Sequence, residues 1–295
     1  MRASHILLTI LITALWGFSF VAIEEGLIDL PPFLLCAFRF LFTTFPAIFF
    51  IKKPATSWKI IISYGVLMFI CMFGFSFFAI KVGLTAGLAS LILQLQVFFT
   101  ILLCVIFLKE KINLWQIIGA LISLGGLVIV GLHVNGEITL AGLLCIVGGA
   151  ISWGFANLTS KLAGKINMVG LIVWGSLFAW PPLFLFSFLI DGSDKIIFSL
   201  QHVSHTTIAC ILYMAYPSTI FCFAMWGWLL NHYRTAAVTP FALLVPLFGM
   251  ASSMLVFHET LQTWKIIAAI FIVGGLCVNI FVPKVMERMS RGFLK

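Results

Sequence analysis

Two stretches decide how this chain is read: KEKINLWQIIGALISLGGLVIVG at 109–131 and HETLQTWKIIAAIFIVGGLCVNI at 258–280. At an offset of 149, Glu110, Trp115, Ile117, Ile118, Gly125, Gly126 and Leu127 fall on Glu259, Trp264, Ile266, Ile267, Gly274, Gly275 and Leu276. Each stretch opens on charges and then stays apolar for close to the ~20 residues that cross a ~30 Å hydrocarbon core as a helix. The likeness extends outward. Trp16-Gly17-Phe18 returns as Trp153-Gly154-Phe155 at an offset of 137, and Thr85-Ala86 as Thr235-Ala236 at 150. The offset grows where the polar stretch Asp191–His205 exceeds its counterpart Lys52–Ser57.

Composition fixes the solvent. The 295 residues are 62% apolar and 9% charged, with a mean hydropathy of +1.19, against roughly 45–50% and about 25% in soluble domains. Breaks at polar clusters, Pro and Gly leave ten spans, near 5–23, 32–51, 60–80, 86–108, 112–132, 138–160, 168–190, 207–230, 236–257 and 264–282. Ten helices of about 20 residues leave only short loops, too short for a soluble catalytic domain. The first span is read as a retained helix, since it lacks a small-x-small cleavage site and carries Trp16 near its middle. The expected fold is an all-α integral membrane protein of ten transmembrane helices in two five-helix repeats, 1–135 and 136–295, the second ending in a short tail.

Charge gives the orientation. With the N-terminus in the cytoplasm, Arg2, Lys52, Lys53, Lys59, Lys109, Lys111, Lys161, Lys165, Arg234, Lys284, Arg288, Arg291 and Lys295 lie inside, and only Lys81, Lys195 and Lys265 outside. That bias places both termini on the cytoplasmic side of the membrane. Because five is odd, the second repeat enters the membrane from the opposite side to the first. Inverted repeats are the architecture of many secondary transporters, with the substrate near the midplane between the halves.

The run Ala79-Ile80 … Gly83-Leu84-Thr85-Ala86-Gly87-Leu88-Ala89-Ser90-Leu91-Ile92-Leu93-Gln94 … Gln96 resembles the drug/metabolite transporter superfamily. Phe38-Arg39-Phe40, Glu110 … Gln116 … Gly119 … Gly125-Gly126 and Pro240 … Leu244-Val245-Pro246 resemble it as well. Over essentially the whole chain the likeness is to EamA-type amino-acid metabolite exporters. One departure is Ser19, where that family often has Asn. The resemblance implies a central cavity and export of small metabolites such as cysteine or O-acetylserine.

Eight residues are candidates for the substrate path. Arg39 is the only charged residue well inside a span, seven residues or about 10 Å past Pro32. It reads either as a contact for an anion or carboxylate or as a structural pair with Glu24 or Glu25. Gln94 and Gln96 are polar in an apolar span and about 200° apart on a regular helix, so they share a face only if the helix is irregular. Pro246, in the counterpart span, is expected to bend it and free a carbonyl. Trp16 with Ser19, and Trp153 with Asn157, share helix faces and suggest an aromatic wall with polar points, or simple packing beside Gly17 and Gly154. Glu110 and Glu259 read as dipole-favoured acids at helix starts or as gating or proton-coupling groups.

Other classes find little support. The seven cysteines are scattered singly in apolar stretches, and the histidines fall at span ends or in loops, so neither a disulfide framework nor a metal site is expected. Basic residues lie in ones and twos between spans, which argues against nucleic acid. No cofactor-binding glycine loop appears, and no clustered nucleophile and base for a membrane-embedded enzyme. A reversible carrier follows its gradients, so an uptake permease fits the same pattern. Proton exchange and facilitated export both remain open as energy sources, and the partners expected are a small molecule and the bilayer.

Overall fold

The computed structural model describes residues 1–134, 138–164, 166–233, 235–260 and 262–292. Lys165, Arg234 and Lys295, three charges used for the orientation, lie outside the described residues, as does residue 136, where the second repeat is expected to begin. The described residues form helices and no strand. Nine are long and apolar enough to cross a membrane: α1 (Ala3–Asp29), α2 (Pro32–Phe49), α3 (Trp58–Lys81), α4 (Ala86–Leu108), α5 (Leu114–Gly131), α6 (Leu140–Leu162), α7 (Met168–Asp191), α8 (His205–Leu230) and α10 (Thr263–Pro283). The shorter apolar helix Phe241–Phe257 is α9. α1 runs six residues past its expected end, which puts Glu24, Glu25 and Asp29 on the helix.

Short polar side chains open most of these helices, because the first four amides of a helix lack partners inside it. Ser57, Thr85, Asn113, Thr139, Asn167 and Ser204 accept from the first turns of α3 to α8. Asn113 and Gln116 form a full capping box. Glu110 and Glu259 therefore do not sit in first turns, as the dipole reading expects. They follow Lys109 and His258, which end α4 and α9 in the left-handed conformation at φ 53°. The polar stretch after α7 is itself helical at Ser193–Gln201, and Ile197, Phe198 and Leu200 are exposed there.

The duplication is written in the irregular backbone too. α3 and α8 each contain a π-helical segment, Gly65–Met72 and Met214–Phe221, 149 residues apart at both ends. α4 is interrupted by a 3₁₀ turn at Leu93–Leu95, and a 3₁₀ segment at Thr239–Leu243 leads into α9. The two irregular segments stand at matching places in the repeats. The second opens at Thr239-Pro240 and ends three residues before Pro246. Pro246 is the third residue of the α-helical part Leu244–Phe257, in the first turn, where proline is tolerated.

The halves interlock rather than sit side by side. α1 packs on α9 and α8, and α6 on α4 and α3; α2 meets α7, α4 meets α9, and α5 meets α10. Exchanging each helix for the one five places along returns the same set of pairs, as a two-fold repeat requires. Glycines set the closest approaches. A Cβ on Gly17 would stand 2.6 Å from Phe248 Cβ, and one on Gly154 3.0 Å from Phe99 Cβ, the mirrored crossing. Between α5 and α10, a Cβ on Gly119 would stand 2.5 Å from Gly275 O, and Ser123 Oγ donates to Ile272 O at 3.0 Å. Small residues are what let backbones meet this closely where no hydrophobic effect drives helices together.

Candidate functional site

Polar side chains join the halves at midspan and at both ends. Arg39 is 2% exposed in α2. Its Nη2 donates to Thr219 Oγ1 at 3.1 Å, on the π-helical segment of α8, and Thr219 donates onward to Met214 O at 2.8 Å. The guanidinium carbon lies 4.1 Å from the ring centroid of Phe73, just past the π-helical segment of α3. Nε and Nη1 are buried without a partner. The structural pairing with Glu24 or Glu25 is thus not formed. Glu24 instead accepts from the Ala86 amide at 2.8 Å, at the start of α4.

Trp16 Nε1 donates to Ser218 O at 2.9 Å, and its ring packs on Phe223 and Trp226 at 5.2 Å each. Ser19, on the same face, gives its hydroxyl to Trp16 O at 2.7 Å, within its own helix. Asn157 Nδ2 donates to Gln96 Oε1 at 2.8 Å and to Thr100 Oγ1 at 3.0 Å, bridging α6 and α4. Trp153 packs half-buried on the main core beside it. Gln94 is buried in the 3₁₀ turn and makes no side-chain hydrogen bond among the described residues. So the structure joins Gln96 to Asn157 and leaves Gln94 apart, in keeping with their different faces. A groove of about 230 Å³ between α2 and α8, lined by Leu30, Phe38, Phe42, Ile208, Ile211 and Leu212 among others, is wholly apolar and holds none of these groups.

The ends differ. Glu259 accepts from Thr85 Oγ1 at 2.7 Å, Ser253 Oγ at 2.5 Å and Lys265 Nζ at 3.0 Å. Lys265 and Glu259 are a buried pair, their side chains 8% and 10% exposed. Thr85 opens α4, and Glu110 follows the far end of that 23-residue helix, so the two acids stand about 35 Å apart along it at 1.5 Å per residue. Glu110 pairs with Lys161 of α6, with side chains 46% and 49% exposed. The Glu259 end is also tied by Asp29, which accepts from Ser204 and Thr207, and by Lys81, which donates to Leu27 O at 2.6 Å. Among the described residues, no group of three His, Cys, Asp or Glu side chains could hold a metal ion.

Thr219, Ser218, Thr100, Thr85, Ser253 and the lysines Lys161 and Lys265 escape a reading based on composition. Two signals point toward them: Pro217 inside a long apolar span, and Thr85 in a duplicated Thr-Ala pair.

Ten apolar helices in two interlocked, inverted five-helix halves, joined by polar contacts at midspan, define a multi-pass membrane protein of the repeat-built kind. The chain belongs to the EamA-like transporter family, which matches residues 3–132 and 140–281; it is a membrane transporter. It is 38% identical over 280 residues to a probable amino-acid metabolite efflux pump of Salmonella typhimurium strain LT2, covering 93% of this chain and 94% of that protein. A probable amino-acid metabolite efflux pump of Escherichia coli K12 is 36% identical over the same shares. The uncharacterized transporter YoaV of Bacillus subtilis is 26% identical, over 92% of this chain and 94% of its own. A solved crystal structure of a protein 18% identical superposes with a TM-score of 0.66 over 96% of this chain and 99% of that one, which shows the shared fold.

Proposed function

We propose that this chain exports small amino-acid-related metabolites across the bacterial inner membrane by alternating access, with both termini in the cytoplasm. The observation that carries the reading is a symmetric scaffold whose two ends are held unequally. Two interlocked copies can exchange conformations at similar energy, and each exchange opens one end as it closes the other. The names of the two enterobacterial relatives support the substrate class and the outward direction. On the charge distribution, the Glu259 end faces outward and is latched, while the half-exposed Glu110–Lys161 pair lies on the cytoplasmic side.

In this reading Trp16, Ser19, Arg39, Gln94, Gln96, Trp153, Asn157 and Pro246 border the path. Glu110 and Glu259 act as gates, and the halves divide near 135/136. Irregular backbone beside Gln94 and at 239–243 supports the placement, because in a membrane it is tolerated only against protein or water. Liposomes containing the purified protein and loaded with labelled cysteine or O-acetylserine test it, with and without a pH gradient. Saturable efflux is expected, and a pH-gradient dependence would add proton coupling. Leakage no faster than from empty liposomes across a panel of amino acids would remove the reading. Labelling of single cysteines placed at Lys109 and Glu259 should come from opposite sides of the bilayer.

A further inference from the structure

Arg39 is a buried cation with no counter-charge among the described residues, and we infer that its guanidinium binds the carboxylate of the transported molecule. The ligand's identity rests on the export reading above; the chemistry rests on the geometry. A charge taken out of water is tolerated when an opposite charge and hydrogen bonds replace its hydration. Here the direct partners are neutral, the Thr219 hydroxyl and the rings of Phe73 and Phe40. The ion pairs among the described residues are Lys161–Glu110, Lys195–Asp191 and Lys265–Glu259, and none involves Arg39.

A guanidinium carries five N–H donors in a planar fork that fits a carboxylate through two parallel bonds. Thr219 takes one, on Nη2, while Nε and Nη1 stay buried and unpaired. A pair of parallel donors is therefore free on at least one edge. One residue before Thr219, Ser218 Oγ is also buried without a partner. Both residues lie on the π-helical segment Met214–Phe221, a backbone form frequent at functional sites. Trp16 holds the same turn through Ser218 O. An incoming carboxylate would supply the missing charge and acceptors at once, so a substrate without it should bind poorly.

The test titrates the purified full chain, followed by thermal shift, with sodium acetate, L-cysteine, cysteamine, L-cysteine methyl ester and sodium chloride at constant ionic strength. Binding to the folded state raises the melting temperature. Acetate and cysteine should give saturable shifts, with cysteamine and the methyl ester needing about 10-fold higher concentration or more, the scale of one lost charge-assisted contact. Arg39→Gln should abolish the carboxylate response. Arg39→Lys should weaken it, because an ammonium lacks the planar fork. Should Arg39→Gln fail to fold, Ser218→Ala and Thr219→Val leave the guanidinium in place and should weaken or reshape the same response.

The inference is overturned if cysteine and cysteamine bind alike, if no carboxylate gives a shift, or if folded Arg39→Gln responds like the wild type. It is also overturned if chloride alone occupies the site and acetate does not compete, which would make it a site for an inorganic ion. Flux separates the two readings. Carboxylate binding at Arg39 without transport would leave the site and remove export. Efflux of cysteamine as fast as cysteine would remove the site and leave export.

Discussion

Glu110 and Glu259 hold the same place in the two repeats, each following the left-handed residue that ends its helix, yet their surroundings have little in common. Glu259 is enclosed by Thr85, Ser253 and Lys265, drawing the start of α4 onto the junction of α9 and α10. Glu110 meets a lysine of the other half, and both side chains are about half exposed. At the positions matching Ser253 and Lys265, the first repeat carries Cys104 and Gln116, so the buried latch cannot form there. Duplication thus preserved the frame while a few side chains made one end tight and the other loose. Water decides the energy of each. An exposed pair is screened and contributes about 0–1 kcal/mol, whereas breaking a buried pair leaves a desolvated charge at about 3–5 kcal/mol.

The largest test of this contrast is Glu259→Gln. It should destabilise the detergent-solubilised protein by about 3–5 kcal/mol, since Lys265 is left buried without its partner. Adding Lys265→Met should recover much of that loss in the same melts. Equal melting of Glu259→Gln and Glu110→Gln would erase the distinction between the ends. In a background without native cysteines, Leu88→Cys, buried near the start of α4, should also label faster once Glu259 is neutralised, and no faster with Glu110→Gln.

Next come the mirrored crossings. Gly17→Ala places a methyl 2.6–2.8 Å from Phe248 Cβ and the backbone of Val245 and Gly249, so about 1–3 kcal/mol of overpacking is expected. Gly154→Ala meets its neighbours at 3.0–3.2 Å and should cost less, and Gly274→Ala, with nothing within 4 Å, should be close to neutral. A reversed order in thermal melts would mean that the α1–α9 crossing is not the tighter of the two.

Asn157→Ala removes the bonds to Gln96 and Thr100. Interhelical bonds of this kind average about 0.6 kcal/mol, so its abundance in the membrane should hold while its efflux rate changes. An unchanged rate would reduce the α4–α6 bridge to packing. The smallest effect is expected from Glu110→Gln, about 0–1 kcal/mol for an exposed pair. A loss as large as that of Glu259→Gln would show that the Glu110 end closes over its pair for much of the time.

Much of the scaffold is legible in the sequence. The expected α4 span, 86–108, agrees with the helix at both ends, and most other limits fall within two residues. Apolar runs and capping residues are local features that act within a few positions of where they are written. α1 ran longer because Glu24 and Asp29 found partners in Ala86 and Ser204, so acids that look like a loop became the end of a helix. The short helix Ser193–Gln201 is hidden in the sequence because its apolar positions are interleaved with Asp194, Lys195 and Gln201 and read as a polar connection. The irregular segment at 239–243 lies in the turn before Pro246, whose missing N–H leaves the Ala242 carbonyl without its i+4 donor, and Pro240 stands inside the same segment.

Hydropathy, the repeat offsets and the loop charges are properties of the chain read in order, and from them came the solvent, the number of spans and the two-fold plan. Which partner each polar group takes was settled by packing. Arg39 went to Thr219 and not to Glu24, Glu259 to Lys265, Asn157 to Gln96, because those pairings depend on how far each helix is rotated and which distant turn it meets. Inside a membrane a polar group without water takes whatever the neighbouring helix presents, and the order of residues along one helix does not record what stands opposite it.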